Sequence, residues 1–90
     1  MRATFKSADL GRVDFARANL ARADLRFAKL SGANLAGATL READASGADL
    51  RGALLQGTDT SGLDLDSARI DRISVPFLAK AINLDRANRE

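Results

Sequence analysis

The 90-residue chain has no cysteine, histidine, tryptophan or tyrosine, and only one proline. Without cysteine there is neither a disulfide framework nor a zinc–thiolate site. Without histidine or cysteine, the nucleophile–base pairs built on those side chains are excluded, and the chain reads as a non-enzyme. No glycine-rich loop opens a helix, so the phosphate-cradling motifs are missing and no cofactor or metal is expected. No apolar run is long enough for a signal peptide or a membrane span, which points by default to the cytoplasm and away from membranes. There is no strong excess of one charge either: 14 basic residues stand against 12 acidic ones, for a net +2. That balance suits a solvated surface and gives no reason to expect direct nucleic-acid binding. The length allows one domain with a modest core.

What the chain has instead is a period of five. From Ala3 to Phe77 the frame is alanine, a small polar residue, leucine, then two free positions. It reads Ala-Asn-Leu-Ala-Arg at 18–22, Ala-Asp-Leu-Arg-Phe at 23–27 and Ala-Asp-Leu-Arg-Gly at 48–52. The central positions run Phe5, Leu10, Phe15, Leu20, Leu25 and onward to Ile70 and Val75, and only Ala45 and Thr60 are not large and apolar. Alanine stands two residues before each centre except at Val13, Thr58, Leu63 and Ile73. No insertion breaks the frame, and such strictness is the signature of a repeat architecture.

Alanine, leucine and arginine favour helix by propensity, but the period does not. At about 100° per residue, a step of five turns each leucine by about 140° and leaves no single face to bury. A flat strand fails as well, because alanine and leucine share a face while the next pair has opposite parity. The pattern keeps pointing inward only if the chain bends once per repeat, at the two free positions. Gly32, Gly37, Gly47, Gly52, Gly57 and Gly62 all occupy the second of these, as corners require. A chain bent at every fifth residue winds into a solenoid, its coils stacked at about the 4.8 Å spacing of paired strands.

This frame resembles the pentapeptide-repeat proteins, whose motif is Ala, Asp or Asn, Leu and two variable residues. The resemblance covers Ala3 to Phe77. It implies an all-β fold, a right-handed quadrilateral parallel β-helix with four repeats per coil and a short C-terminal capping helix. The expected division is a β-helix over 1–77 and a helical cap over 78–90. Four repeats per coil stack Phe5, Leu25, Ala45 and Leu65 in one interior column. Ala45 leaves a deficit of volume there, which the oversized Leu63 is placed to offset.

The residue before each centre points outward and stacks in the same way. One column reads Thr4, Asp24, Asp44, Asp64. Asp24, Asp44 and Asp64 form an acidic ladder that could hold a cation or imitate a row of phosphates. The plainer reading is that each aspartate accepts hydrogen bonds from nearby backbone. Lys6, Arg12, Arg17 and Arg22 fall at corners and read as solvated. Phe27 at a corner and Leu54 at an outward position are expected to be exposed, and are candidate protein contacts. The interior, filled by leucine and alanine, is expected to leave no cleft.

After Val75 the frame fails, because Lys80 takes the next centre. Phe77, Leu78, Ala81, Ile82 and Leu84 lie near one helical stripe that begins at Pro76, so a helix folded over the open end is favoured. The competing reading has Ile82-Asn83-Leu84 and Ala87-Asn88 resume the repeat one residue out of frame. Phe77, Leu78 and Ile82 join the candidate contacts. At the other end only Met1 and Arg2 precede the first coil, so a homodimer through an open solenoid end or through the tail is conceivable. The expected function is a rigid, non-enzymatic protein-binding or scaffolding module with an unidentified protein partner. The alternative, drawn from the resemblance, is a DNA-mimicking protein that protects gyrase, of the quinolone-resistance kind.

Overall fold

The computed structural model describes residues 3–89. Its backbone pairs in parallel bridges between residues twenty apart, arranged in four columns. Thr4, Asp24, Asp44 and Asp64 form the first, Asp9, Lys29, Asp49 and Arg69 the second, Asp14, Asn34 and Leu54 the third, and Asn19, Thr39 and Asp59 the fourth. Each bridge uses the same two bonds. The N–H of a central residue donates to the outward residue one coil on, as from Leu30 to the Asp49 carbonyl at 2.8 Å. The N–H of that outward residue returns a bond to the alanine carbonyl below, as from Asp49 to Ala28 at 3.0 Å.

Every fifth residue forms a corner. The alanine N–H after a corner donates to the preceding central carbonyl, as from Ala23 to Leu20 at 3.0 Å. The third residue of such a turn needs positive φ, which explains the glycines at the second free position. The geometry holds with or without glycine: Ser7, Arg12, Arg17, Arg22, Phe27, Glu42 and Ser67 take φ of 58–64° at the equivalent corners. At Gly47 the neighbour also matters, because an added Cβ would lie 2.6 Å from the ring of Phe27, one coil below.

Alanines and central residues fill the bore. From Leu20 to Ile70 every central residue is buried, Ala45 and Thr60 among them, and Leu63 is fully enclosed beside them. The first coil is more open. Phe5, Leu10 and Phe15 are only partly buried, and the rings of Phe5 and Phe15 meet edge to face at 5.8 Å. Met1 and Arg2, the two residues before the first coil, lie outside the described residues.

The tail departs from the expected helix over 78–90. Arg72–Leu78 forms a 3-10 helix that includes Pro76 and begins earlier than the sequence suggests. A second 3-10 turn covers Leu84–Arg86. Between them Ile82 bridges to Asp64, and the strand Asn88–Arg89 (β2) pairs in parallel with the strand Arg69–Ile70 (β1). The partners here are eighteen residues apart at Asp64 and Ile82 and nineteen apart at Arg69 and Asn88, instead of twenty. The coil therefore resumes out of frame, by one residue at Asn88 as in the competing reading, but by two at Ile82, which takes the outward position that reading gave to Asn83. The physical reason is the open edge of the fourth coil: the N–H groups of Leu65 and Ser67 need acceptors, and find them at Ile82 and Arg86. Asn83, a residue tolerant of left-handed backbone, turns the chain at φ 58°.

Candidate functional site

Along the outward columns the aspartates and asparagines perform one local task. The Oδ1 atoms of Asp14, Asn19, Asp24, Asn34, Asp44, Asp49, Asp59 and Asp64 each accept the backbone N–H two residues on, at 2.9–3.1 Å. The side chain thereby satisfies the first corner amide, and the preference for Asp or Asn follows from it. Two of these residues hold an arginine as well. Arg26 lies bidentate on Asp24 and Arg51 on Asp49, each pair at 2.9 and 2.8 Å. Hydrogen bonding from Arg51, more than any other influence, holds the Asp49 carboxyl below the usual range.

Every member of the acidic ladder is engaged in this way. The bridges place Asp24, Asp44 and Asp64 in one column. Beyond the corner amides, Asp24 binds Arg26, Asp44 accepts the Ser46 hydroxyl, and Asp64 accepts Nδ2 of Asn83 at 2.9 Å. Among the described residues no group of three or more acidic, histidine or cysteine side chains is placed to hold a metal ion. The ladder is a row of corner braces.

The candidate contacts divide. Phe27, Leu54, Phe77 and Ile82 are exposed, with Phe27 at 58% and Leu54 at 55%. They do not form one patch by position: Phe27 is on the corner after the first column, Leu54 on the third, Phe77 in the 3-10 helix and Ile82 in the resumed coil. Leu78 is the correction. It is fully buried, because the 3-10 helix turns it into the bore above the last full coil, so it belongs to the core.

A cleft of about 410 Å³ opens where sequence reading expected none. It lies outside the filled bore, between the third coil and the tail. Leu55, Gly57, Thr58, Thr60 and Ser61 form one wall, Pro76, Phe77, Ala79 and Lys80 the other, with Arg41 and Asp59 at the rim. Thr60, buried at a central position, donates through Oγ1 to the Phe77 carbonyl at 3.0 Å and so pins the tail to the coil. The Ser61 N–H and hydroxyl, and more weakly Arg41 and Lys80, hold the Asp59 carboxyl below its ordinary range. Arg41 reaches Asp59 at 3.7 Å. No sequence signal marks this cleft, since it exists only because the tail leaves the ladder.

Comparison with known proteins agrees with this geometry. A search of curated protein sequences finds no match. Among solved structures, a pentapeptide repeat protein from the thylakoid lumen of Arabidopsis thaliana superposes with a TM-score of 0.73 at 25% identity, over 98% of this chain and 59% of that one. QnrB1, a plasmid-mediated fluoroquinolone resistance protein, superposes with a TM-score of 0.67 at 18% identity, over 94% of this chain and 38% of that one. The chain thus spans well under two thirds of either relative, and the second likeness concerns the fold alone. The profile of the pentapeptide repeats matches in eight copies over residues 1–35, 18–57 and 33–71. By that match and by its five-residue corners, the chain belongs to the pentapeptide-repeat family.

Proposed function

We propose that the chain is a non-enzymatic protein-binding or scaffolding module: a right-handed quadrilateral β-helix whose faces and C-terminal end present a rigid surface. The observation that carries this reading is the fate of the carboxylates. Those of the ladder are bound to their own corners and to neighbouring side chains, which leaves them to support shape and not chemistry. Among the side chains that do project, Phe27, Leu54, Phe77 and Ile82 are large and apolar. Binding through a few exposed apolar anchors on a rigid frame is the usual economy of an interaction surface. The cytoplasmic location is part of the same proposal, and cell fractionation checks it. The partner test is a pull-down from lysate, identified by mass spectrometry, with the intact chain and with a Leu54→Asp, Phe77→Asp variant. A partner retained by the first and lost by the second is the expected result. Equal recovery, or none with either, counts against the reading.

A second reading is a DNA mimic that protects gyrase, and the fold likeness to a fluoroquinolone resistance protein favours it. The charge counts against it. Duplex DNA carries a charge about every 1.7 Å, so the 29 Å length of this molecule corresponds to about 17 negative charges. The chain has 12 acidic residues and 14 basic ones.

A further inference from the structure

The 3-10 helix over Arg72–Leu78 interrupts the hydrogen-bond ladder on two adjoining faces, and the interruption has a definite shape. One coil below, the N–H groups of Leu35, Gly37 and Leu40 donate to the carbonyls of Leu54, Gln56 and Asp59 at 2.8–2.9 Å. The equivalent donors of the next coil belong to Leu55, Gly57 and Thr60. Among the described residues these three find no acceptor. The neighbouring corners show what satisfaction looks like: Gly52 donates to the Asp71 carboxylate and Gly62 to the Lys80 carbonyl. All three unsatisfied donors line the cleft.

Unpaired N–H groups facing a common space call for an acceptor ligand. Gly57 has φ +69°, so its amide sits on a left-handed corner of the type that makes anion-binding concavities. The rim adds charge of the matching sign. Asp59 accepts from Ser61 and faces both Arg41 and Lys80, so the rim beside the donors carries two cations against one carboxylate. The exposed Phe77 ring forms the apolar wall. A volume near 410 Å³ falls within the range of ligand sites. The ladder also has a direction. A strand added in the parallel sense of every other coil runs from Leu55 toward Thr60, so its C-terminal end arrives at Lys80 and Arg41.

We propose that this cleft binds the C-terminal carboxylate of a peptide that follows the coil around the Gly57 corner. The carbonyl and carboxylate oxygens accept from Leu55, Gly57 and Thr60, the terminal charge meets Lys80, and an apolar last side chain lies on Phe77. This deepens the protein-binding reading and rests on it.

The test is a titration of the 15N-labelled intact chain with three probes: the acetylated pentapeptide acetyl-Ala-Ala-Gly-Val-Leu with a free carboxylate, whose carbonyls match the spacing of Leu54, Gln56 and Asp59 one coil below, the same peptide amidated, and sodium acetate. The free-acid peptide should move the amide resonances of Leu55, Gly57 and Thr60 to saturation. The amidated peptide and acetate should each bind on the order of tenfold more weakly. Lys80→Ala should weaken the free-acid peptide to a similar degree, with the resonances of the first two coils unchanged as proof of folding. Equal response to acetate would assign the cleft to small carboxylates and overturn the peptide claim. Equal response to the amide, or shifts scattered away from these three residues, or no response to any probe would overturn the site. A partner retained by the intact chain and lost by Leu54→Asp alone, a substitution outside the cleft, would leave the binding-module reading standing in any of those cases.

Discussion

Arg17 holds a φ of 64° at a corner whose next coil carries Gly37 in the same conformation. Left-handed backbone costs a side-chain-bearing residue about 1–2 kcal/mol. Arg17→Gly should therefore stabilise the fold by up to about 1 kcal/mol, read as a higher urea midpoint, even though glycine gains freedom in the unfolded chain. Gly47→Ala should do the reverse, for two separable reasons: the left-handed φ and the Phe27 ring that the new Cβ would strike. Introduced together with Phe27→Ala, it should cost less than it does alone, and a double-mutant cycle with no coupling would free the ring of any part in choosing glycine. Asp49 supplies a pH dependence. Its folded pKa is depressed, so its contribution is present above the ordinary aspartate pKa of about 3.9 and is lost as pH falls through the lower, folded value. Asp49→Asn keeps an oxygen for the Arg51 N–H, as Asn34 does for Ala36, and removes the charge together with the second acceptor of the Arg51 guanidinium. It should cost about 1 kcal/mol or less at neutral pH, with the difference from wild type vanishing at the acid end of the carboxylate range.

The elements were unequally legible. Corners could be read from the sequence because each is local: an aspartate or asparagine, a large apolar centre and a glycine or another residue forced to positive φ, all within five positions. Stacking followed from the same frame, since a period that never slips sets every column at once. The tail obeys no such local rule. Lys80 at a central position announced that the frame had ended, and Pro76 suggested a helix, but neither residue records the N–H groups waiting on the fourth coil. Those distant donors draw Ile82 and Arg86 back into pairing, and Leu78 into the bore. The cleft was invisible for the same reason. A chain ending at Ala81 loses β2 and leaves β1 and the Leu65 and Ser67 amides as an open edge. Such a variant should self-associate by light scattering at concentrations where the intact chain does not. Identical scattering would mean that the resumed coil is not the shield it resembles.

For the whole molecule, the balance of charge yields a direct expectation: no inhibition of gyrase supercoiling by micromolar protein. Clear inhibition, abolished by neutralising Asp24, Asp44 and Asp64 together, would make the mimic the better reading. A core residue in a middle coil should matter far more than any surface charge. Leu30, fully buried, should cost about 2–5 kcal/mol when cut to alanine. The columns of bridges carry a further consequence. Because partners stand twenty residues apart and each repeat spans five, one repeat is a quarter of a coil. Inserting a whole coil lengthens the rod and leaves every face in line. Inserting a single repeat also keeps alanine over alanine and centre over centre, yet it swings everything beyond it by one side. Length in this chain therefore doubles as angle: four positions of a dial, selected by counting repeats, decide whether Leu54 and the cleft look the same way as Phe27 or away from it.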